Sequence, residues 1–249
     1  MNPKDEAELI SNALFDEFGT GGVSLHGDIP YIDGRDAILE MKDNEYPGWG
    51  EVEWAGHHVK YLIQKLCNDG LSHKIAIYDL KKKRHFVKGN FIWDARFKAH
   101  ESNNVPLGSV DDYEDITKKN GGIGILIVDA LSIPDFSGDF RRWHEEQKGG
   151  SSKYSLEREL DGRPERTRKT SYAFGKILSF FFTYDDLRKG VKDGWMKDNW
   201  QITMRNSRGE SRTPKYVLKV NKIPLKYLVF AKNFNEDPEE FKEDYPEFS

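Results

Sequence analysis

Phe91-Ile92-Trp93-Asp94-Ala95-Arg96-Phe97-Lys98-Ala99-His100 decides how the rest of the chain is read. Its aromatic and apolar residues fall at 91, 93, 95 and 97, with Asp94, Arg96 and Lys98 between them. A period of two marks a β-strand with one packed face. The opposite face then carries a carboxylate and two cations in file. Upstream, Lys81-Lys82-Lys83-Arg84 reads as a basic turn running through His85-Phe86-Val87 to Gly89-Asn90. Before it, His73 to Leu80 alternates, with Ile75, Ile77 and Asp79 on one side. These runs predict a meander of two or three antiparallel strands. A helix is expected before them from Glu51, with Val52, Ala55, Val59, Leu62, Ile63 and Leu66 on one face, ending at Asn68-Asp69-Gly70. That helix places Glu53, His57, Lys60 and Gln64 on a flanking stripe. Downstream, the polar stretch 100–120 is expected to be loop or short helix. Gly122 to Val128 is a continuous apolar run, as in a strand buried on both faces. The predicted class is α/β, a mixed central sheet flanked by helices.

The outer parts of the chain follow the same logic. Residues 1–18 carry a helical apolar pattern, and Asp33 is placed to cap a short helix from Arg35 to Lys42. Ser171 to Tyr184, with Phe180-Phe181-Phe182, is expected to return as a strand. Trp195 to Met204 predicts a strand or loop, Tyr216 to Val220 a further strand, and Leu225 to Phe230 a buried apolar segment. At 249 residues the chain suits one domain. A core over about 50–130 is expected, with additional elements over 135–215 and an acidic surface tail over 235–249. The 37% apolar content supports a sizeable core, and a net charge of −4 denies the chain any global basic signature. Binding to nucleic acid therefore has to come from local clusters. The lone Cys67 cannot form an internal disulfide, which fits a reducing cytoplasm. No signal peptide is read at the N-terminus, and no apolar run reaches the roughly 18–20 residues of a membrane span.

Glu53 before the strands, Asp79 ending one strand, and Asp94 with a cation on the next together resemble the PD-(D/E)XK nuclease superfamily, best known from Type II restriction endonucleases. In that superfamily an Asp ends one strand, a carboxylate and Lys two residues apart share a face of the next, and a preceding helix often supplies a Glu. The resemblance covers roughly residues 50–100. It implies a restriction-endonuclease-like core and Mg²⁺-dependent hydrolysis of phosphodiester bonds in double-stranded DNA, with Asp79, Asp94 and Glu53 toward the metal. Mg²⁺ takes hard oxygen ligands and activates water while offsetting charge on the leaving oxygen. This chain departs from the pattern at one point: the position two after Asp94 is Arg96, and Lys98 is one pleat further, so either cation is a candidate to position water. A literal rival occurs at Pro134-Asp135 with Glu146-Gln147-Lys148, but Arg141 to Glu146 does not alternate, and on a helix the carboxylate and Lys diverge.

A second cluster of cations, Lys148, Lys153, Arg158, Arg163, Arg166, Arg168 and Lys169, is the candidate DNA-contacting segment. Lys and Arg contacts to phosphates supply most sequence-independent affinity, and Arg reads guanine bidentately. Interspersed acids make a salt-bridged helix the competing reading. A cut at a palindrome would favour a homodimer by symmetry. The histidines are expected to be packed or on helix surfaces, and Gly122-x-Gly124 lies inside a strand, so a nucleotide-binding loop is not expected. The alternative function is a non-catalytic nucleic-acid-binding or protein-interaction domain using the same basic segment.

Overall fold

A computed structural model describes residues 1–21, 23–24, 30–68, 76–78, 86–151, 156, 160–162, 167–204 and 210–233. Helix α1 (Pro3–Gly21) leads to β1 (Val23–Ser24) and β2 (Pro30–Asp33), and then to α2 (Gly34–Asp43) and α3 (Trp54–Asn68). Strands β3 (Ala76–Tyr78), β4 (Phe86–Lys88) and β5 (Ile92–Ala99) follow, then β6 (Asn104–Ser109), α4 (Val110–Asn120) and β7 (Ile123–Pro134). The second half contributes α5 (Asp139–Gln147), β8 (Lys169–Phe182), α6 (Tyr184–Asp193), β9 (Met196–Trp200), β10 (Lys215–Lys219) and β11 (Leu228–Asn233).

The main sheet runs β1-β2-β8-β7-β5-β4-β3, with β11 also paired to β8. β3, β4 and β5 form the antiparallel meander, and β5 then pairs in parallel with β7. A parallel pair needs a crossover, which β6 and α4 supply. β8 lies antiparallel to β7 along its whole length. The stretch 135–215 therefore supplies β8 to the middle of the sheet as well as α5 above it.

Alternation sorts the side chains into two apolar layers. Trp93, Ala95, Leu126, Val128, Tyr172 and Phe174 face α1, α2, α3 and α5. Ile92, Ile123, Ile125, Ile127, Leu178 and Phe180 face α4, α6 and a second sheet, ordered β6-β10-β9. β7 is buried on both faces, which is why its sequence is an unbroken apolar run. Gly124 lies beside Trp93 in register, and a Cβ there would overlap the indole ring. The glycine makes room for Trp93 rather than for a nucleotide.

Local chemistry sets the helix ends. Asp33 caps α2, accepting from the Arg35 amide at 2.7 Å. Ser109 caps α4, and Gly121 ends it with φ 73°, a left-handed conformation that costs a glycine nothing. Thr183 and Asp186 close a capping box at the start of α6. Two expectations are corrected here. Residues 100–120 hold a strand as well as a helix, because Val105 and Leu107 alternate inward beneath an otherwise polar surface. Glu53 is not helix-borne: it lies in the turn before α3, and its carbonyl accepts from the Gly56 and His57 amides. Among the described residues, no helix is long and apolar enough to cross a membrane.

Candidate functional site on strand β5

Asp94, Arg96 and Lys98 share the face of β5 that looks toward α4 and the second sheet. The structure assigns them to two separate buried clusters. Asp94 is 2% exposed, and its Oδ2 accepts from Arg96 Nε at 2.9 Å and Arg96 Nη2 at 2.5 Å. Tyr113 of α4 donates its hydroxyl to the same oxygen. Burial and the adjacent Asp94 charge push the Tyr113 hydroxyl well above the usual phenol range, so it stays a donor. Four residues further along, Lys98 Nζ meets Asp129 Oδ2 of β7 at 2.7 Å, and both are almost fully buried. His100 Nδ1 lies 3.3 Å from the other Asp129 oxygen. The parallel register puts Lys98 opposite Asp129, so this pairing follows from the strand alignment itself.

The charge of Arg96 is felt by lysines of two other elements. Lys60 of α3 is lowered to about 8, by burial first and then by Arg96, with Lys215 adding to the effect and Asp94 opposing it. Lys215 of β10 is lowered as well, by burial, Arg96 and Arg212. Tyr78, the last strand residue before Asp79, stands level with Asp94 across Phe86 of β4. Asp79 itself, like Lys81 to Arg84, lies outside the described residues. Glu53 is exposed, and its charge supports that of Lys169 against burial. Among the described residues, no group of three His, Cys, Asp or Glu side chains is placed to hold a metal.

The other cationic cluster is partly structural. Arg168 is buried, donating to Glu145 Oε1 at 2.7 Å and meeting His144 Nδ1 at 2.7 Å. It ties β8 to α5 instead of facing solvent. Lys169 is half-buried with its ammonium 4.5 Å from the Phe97 ring centre. Lys148 is half-buried at the C-terminal end of α5, and burial lowers it from the usual lysine range. Lys153, Arg158, Arg163 and Arg166 lie outside the described residues. The rival set separates as expected on a helix: Glu146 and Gln147 end α5, while Asp135 accepts from the Arg141 amide at 2.8 Å near the helix start. A cavity of about 280 Å³ there is lined by Asp135, Phe136, Ser137, Arg141 and Arg168, among others. The described histidines of the helices are packed: His58 Nδ1 is 2.7 Å from the Tyr172 hydroxyl, and His144 Nε2 is 3.0 Å from the Trp49 carbonyl.

Several residues of this region were missed in the sequence. Asp129 hides at the end of an apolar run, where an acid directly after Val128 is the only signal. Tyr113 sits in a stretch read as polar. Lys215 precedes a strand whose neighbours cannot be inferred from periodicity. Glu6 of α1, 0% exposed, accepts from the Asn90 and Phe91 amides at 2.6 and 3.0 Å and from Trp93 Nε1 at 3.0 Å, anchoring the start of β5. No family model, no curated protein and no solved structure matches the chain.

Proposed function

We propose that the protein is a DNA endonuclease of the restriction type, a phosphodiesterase whose site lies beside Asp94 and Arg96. One observation carries this reading. The β3-β4-β5 meander brings the end of β3 level with Asp94, and the acid shares its face with a cation two residues on. Helix α3 before the meander, and a strand parallel to β5 after it, support the restriction-endonuclease-like core that the sequence resembles. Arg96 is the better candidate for the cationic role, because it stands against Asp94, whereas Lys98 is paired away from it with Asp129.

The described residues do not by themselves fit a divalent cation. They offer one carboxylate, Asp94, with Arg96 bound to it and Lys60 and Lys215 nearby. Mg²⁺ is usually held by one or two carboxylates with substrate phosphate and water, and here the described carboxylate is already paired with Arg96. A magnesium requirement on this reading falls to Asp79.

The test is incubation of the purified chain with plasmid and phage DNA, with Mg²⁺ or with EDTA, beside Asp79→Asn and Asp94→Asn variants. Discrete fragments are expected, lost in EDTA and in both variants. Intact DNA across several substrates and divalent metals would overturn the proposal. The second reading, a non-catalytic nucleic-acid-binding domain, is favoured by the commitment of Asp94 Oδ2 to Arg96 and Tyr113. It is distinguished by duplex binding in a gel shift with no product from any substrate.

A further inference from the structure

Strand β7 passes into α5 through Asp135-Phe136-Ser137-Gly138. The Asp135 amide donates to the Arg168 carbonyl at 2.8 Å, and the Phe136 amide to the Pro134 carbonyl at 3.1 Å. Asp135 accepts from the Arg141 amide at 2.8 Å and from the Ser137 hydroxyl at 3.4 Å, and Ser137 Oγ accepts from the Asp139 amide at 3.2 Å. Gly138 turns the chain in the left-handed region, with φ 74°. The loop is thus held in one shape by its own hydrogen bonds, yet its aromatic residue is not packed: Phe136 is 89% exposed. A lone exposed apolar side chain is ordinary on a plain surface. Phe136, however, lines the cavity of about 280 Å³ that lies between this loop, the first turn of α5 and the residues leading into β8. Exposed and lining at once, its ring forms the outer wall.

The other walls are polar. Asp135 is 9% exposed and Arg168 4%, the latter fixed by Glu145 and His144. Arg141 lies over Gly138, its Nη2 4.0 Å from where a Cβ on that glycine would stand. A phosphate here would meet the Asp135 carboxylate, and a metal ion the guanidinium groups; like charges repel strongly where water is scarce. A flat neutral ligand with donors and acceptors along its edge suits ring, carboxylate and guanidinium together. The volume is at the small end of ligand pockets, which run from about 300 to 1,000 Å³, and suits one base rather than a base pair. We infer that this cavity takes a single unpaired guanine, stacked on Phe136 with one edge toward Asp135 and another toward Arg141. Guanine presents two N–H donors side by side, on N1 and the 2-amino group, which one carboxylate accepts together. Its O6 and N7 are the acceptors an arginine fork takes. Adenine, cytosine and thymine lack the adjacent donors. A carboxylate offers roughly four acceptor positions, of which the Arg141 amide and Ser137 use two. A free guanine nucleotide and a guanine unstacked from a strand share this chemistry. The pocket does not rest on the function proposed above.

The experiment titrates the full chain with deoxyguanosine, deoxyinosine, deoxyadenosine, deoxycytidine and thymidine, nucleosides without phosphate, in a calorimeter. Deoxyguanosine binds, and the other four bind about 5- to 150-fold more weakly, the loss that follows from one missing bidentate contact. Deoxyinosine is the sharpest comparison, because it lacks only the 2-amino group and leaves the protein untouched. Phe136→Ala weakens deoxyguanosine about 5- to 150-fold, the loss of one stacked base, whereas Phe136→Trp keeps it. Arg141→Met loses the preference for deoxyguanosine over deoxyadenosine.

Equal binding of all five nucleosides, binding of none, or parental affinity in a folded Phe136→Ala overturns the pocket. If Arg141→Met fails to fold, Phe136→Ala, on an exposed side chain, and deoxyinosine decide the question. Anisotropy of a labelled thymidine strand with and without one central guanine identifies the source. Tighter binding of the guanine strand, lost in Phe136→Ala, assigns the base to a strand; equal binding of the two strands beside a bound nucleoside assigns it to a free nucleotide. The two proposals also separate: deoxyguanosine binding by a chain that leaves DNA intact removes the nuclease reading and leaves the pocket, whereas cleavage by a chain that binds no nucleoside removes the pocket and leaves the nuclease.

Discussion

Lys98 and Asp129 are 6% and 2% exposed, which makes their ion pair a matter of desolvation as much as attraction. Removing one member strands a buried charge and typically costs about 3–5 kcal/mol, whereas replacing both with apolar groups is near neutral. Lys98→Met is therefore expected to lose about 3–5 kcal/mol in urea unfolding, and Lys98→Met with Asp129→Leu to return to within about 1 kcal/mol of the parent. The same pair of variants decides between the two candidate cations. If Arg96 serves the proposed chemistry, the folded double variant still cleaves DNA; its loss of cleavage with intact stability would return Lys98 to the site. The resemblance reserved a single position for a lysine, and side-chain geometry was needed to see that Lys98 is occupied elsewhere.

At the scale of elements, β5 is fixed at its two ends by different means. Its start is held by Glu6 on α1, whose carboxylate accepts three hydrogen bonds in a fully buried place. Hydrogen bonds to charged groups contribute about 1.5–3 kcal/mol each, and an amide offers only one oxygen to replace two. Glu6→Gln is expected to lower stability by about 3 kcal/mol in urea unfolding, and a variant within experimental error of the parent would show that the anchor is dispensable. The far end of β5 is held by the parallel register with β7, which also aligns Lys98 with Asp129. Periodicity identified β5 and β7 as strands, yet nothing in either run specifies that they pair in parallel. That depends on the crossover through β6 and α4, half of which reads as loop because its inward residues are few.

Across the whole molecule, burial of uncharged histidines ties stability to pH. Burial, with Lys60 nearby, lowers His57 from 6.5 to about 4, and burial with Arg168 lowers His144 to about 4. Each folded-state value lies below the unfolded one, so the stabilising contribution is complete above about 6.5 and is lost as pH falls toward 4. The unfolded chain takes up these protons first. Each group contributes up to about 1.4 kcal/mol per pH unit inside that window. Glu40, lowered from 4.5 to about 2 chiefly by the neighbouring His58 ring, whose Nε2 lies 3.7 Å from its carboxylate, acts below it. Urea midpoints measured between pH 7.5 and 4.5 are expected to fall steadily, and more shallowly in His144→Gln; a flat profile in the parent would contradict the buried neutral state.

The sequence by itself determined the α/β class, the meander, the buried strand β7 and the cap at Asp33. Each of these rests on chemistry repeated over a few consecutive residues: a period of two, an unbroken apolar run, a side chain beside its own helix amides. Only the tertiary structure decided that Lys98 belongs to Asp129 and that Tyr113 and Arg96 share Asp94. Those partners lie between 2 and 31 positions apart in the chain, and no local pattern records which of them will meet. Their meeting is set by which strands lie side by side and which layer covers each face. The charges of β5 were visible in the sequence; which partner each one takes became visible only when α4 and β7 were brought against the strand.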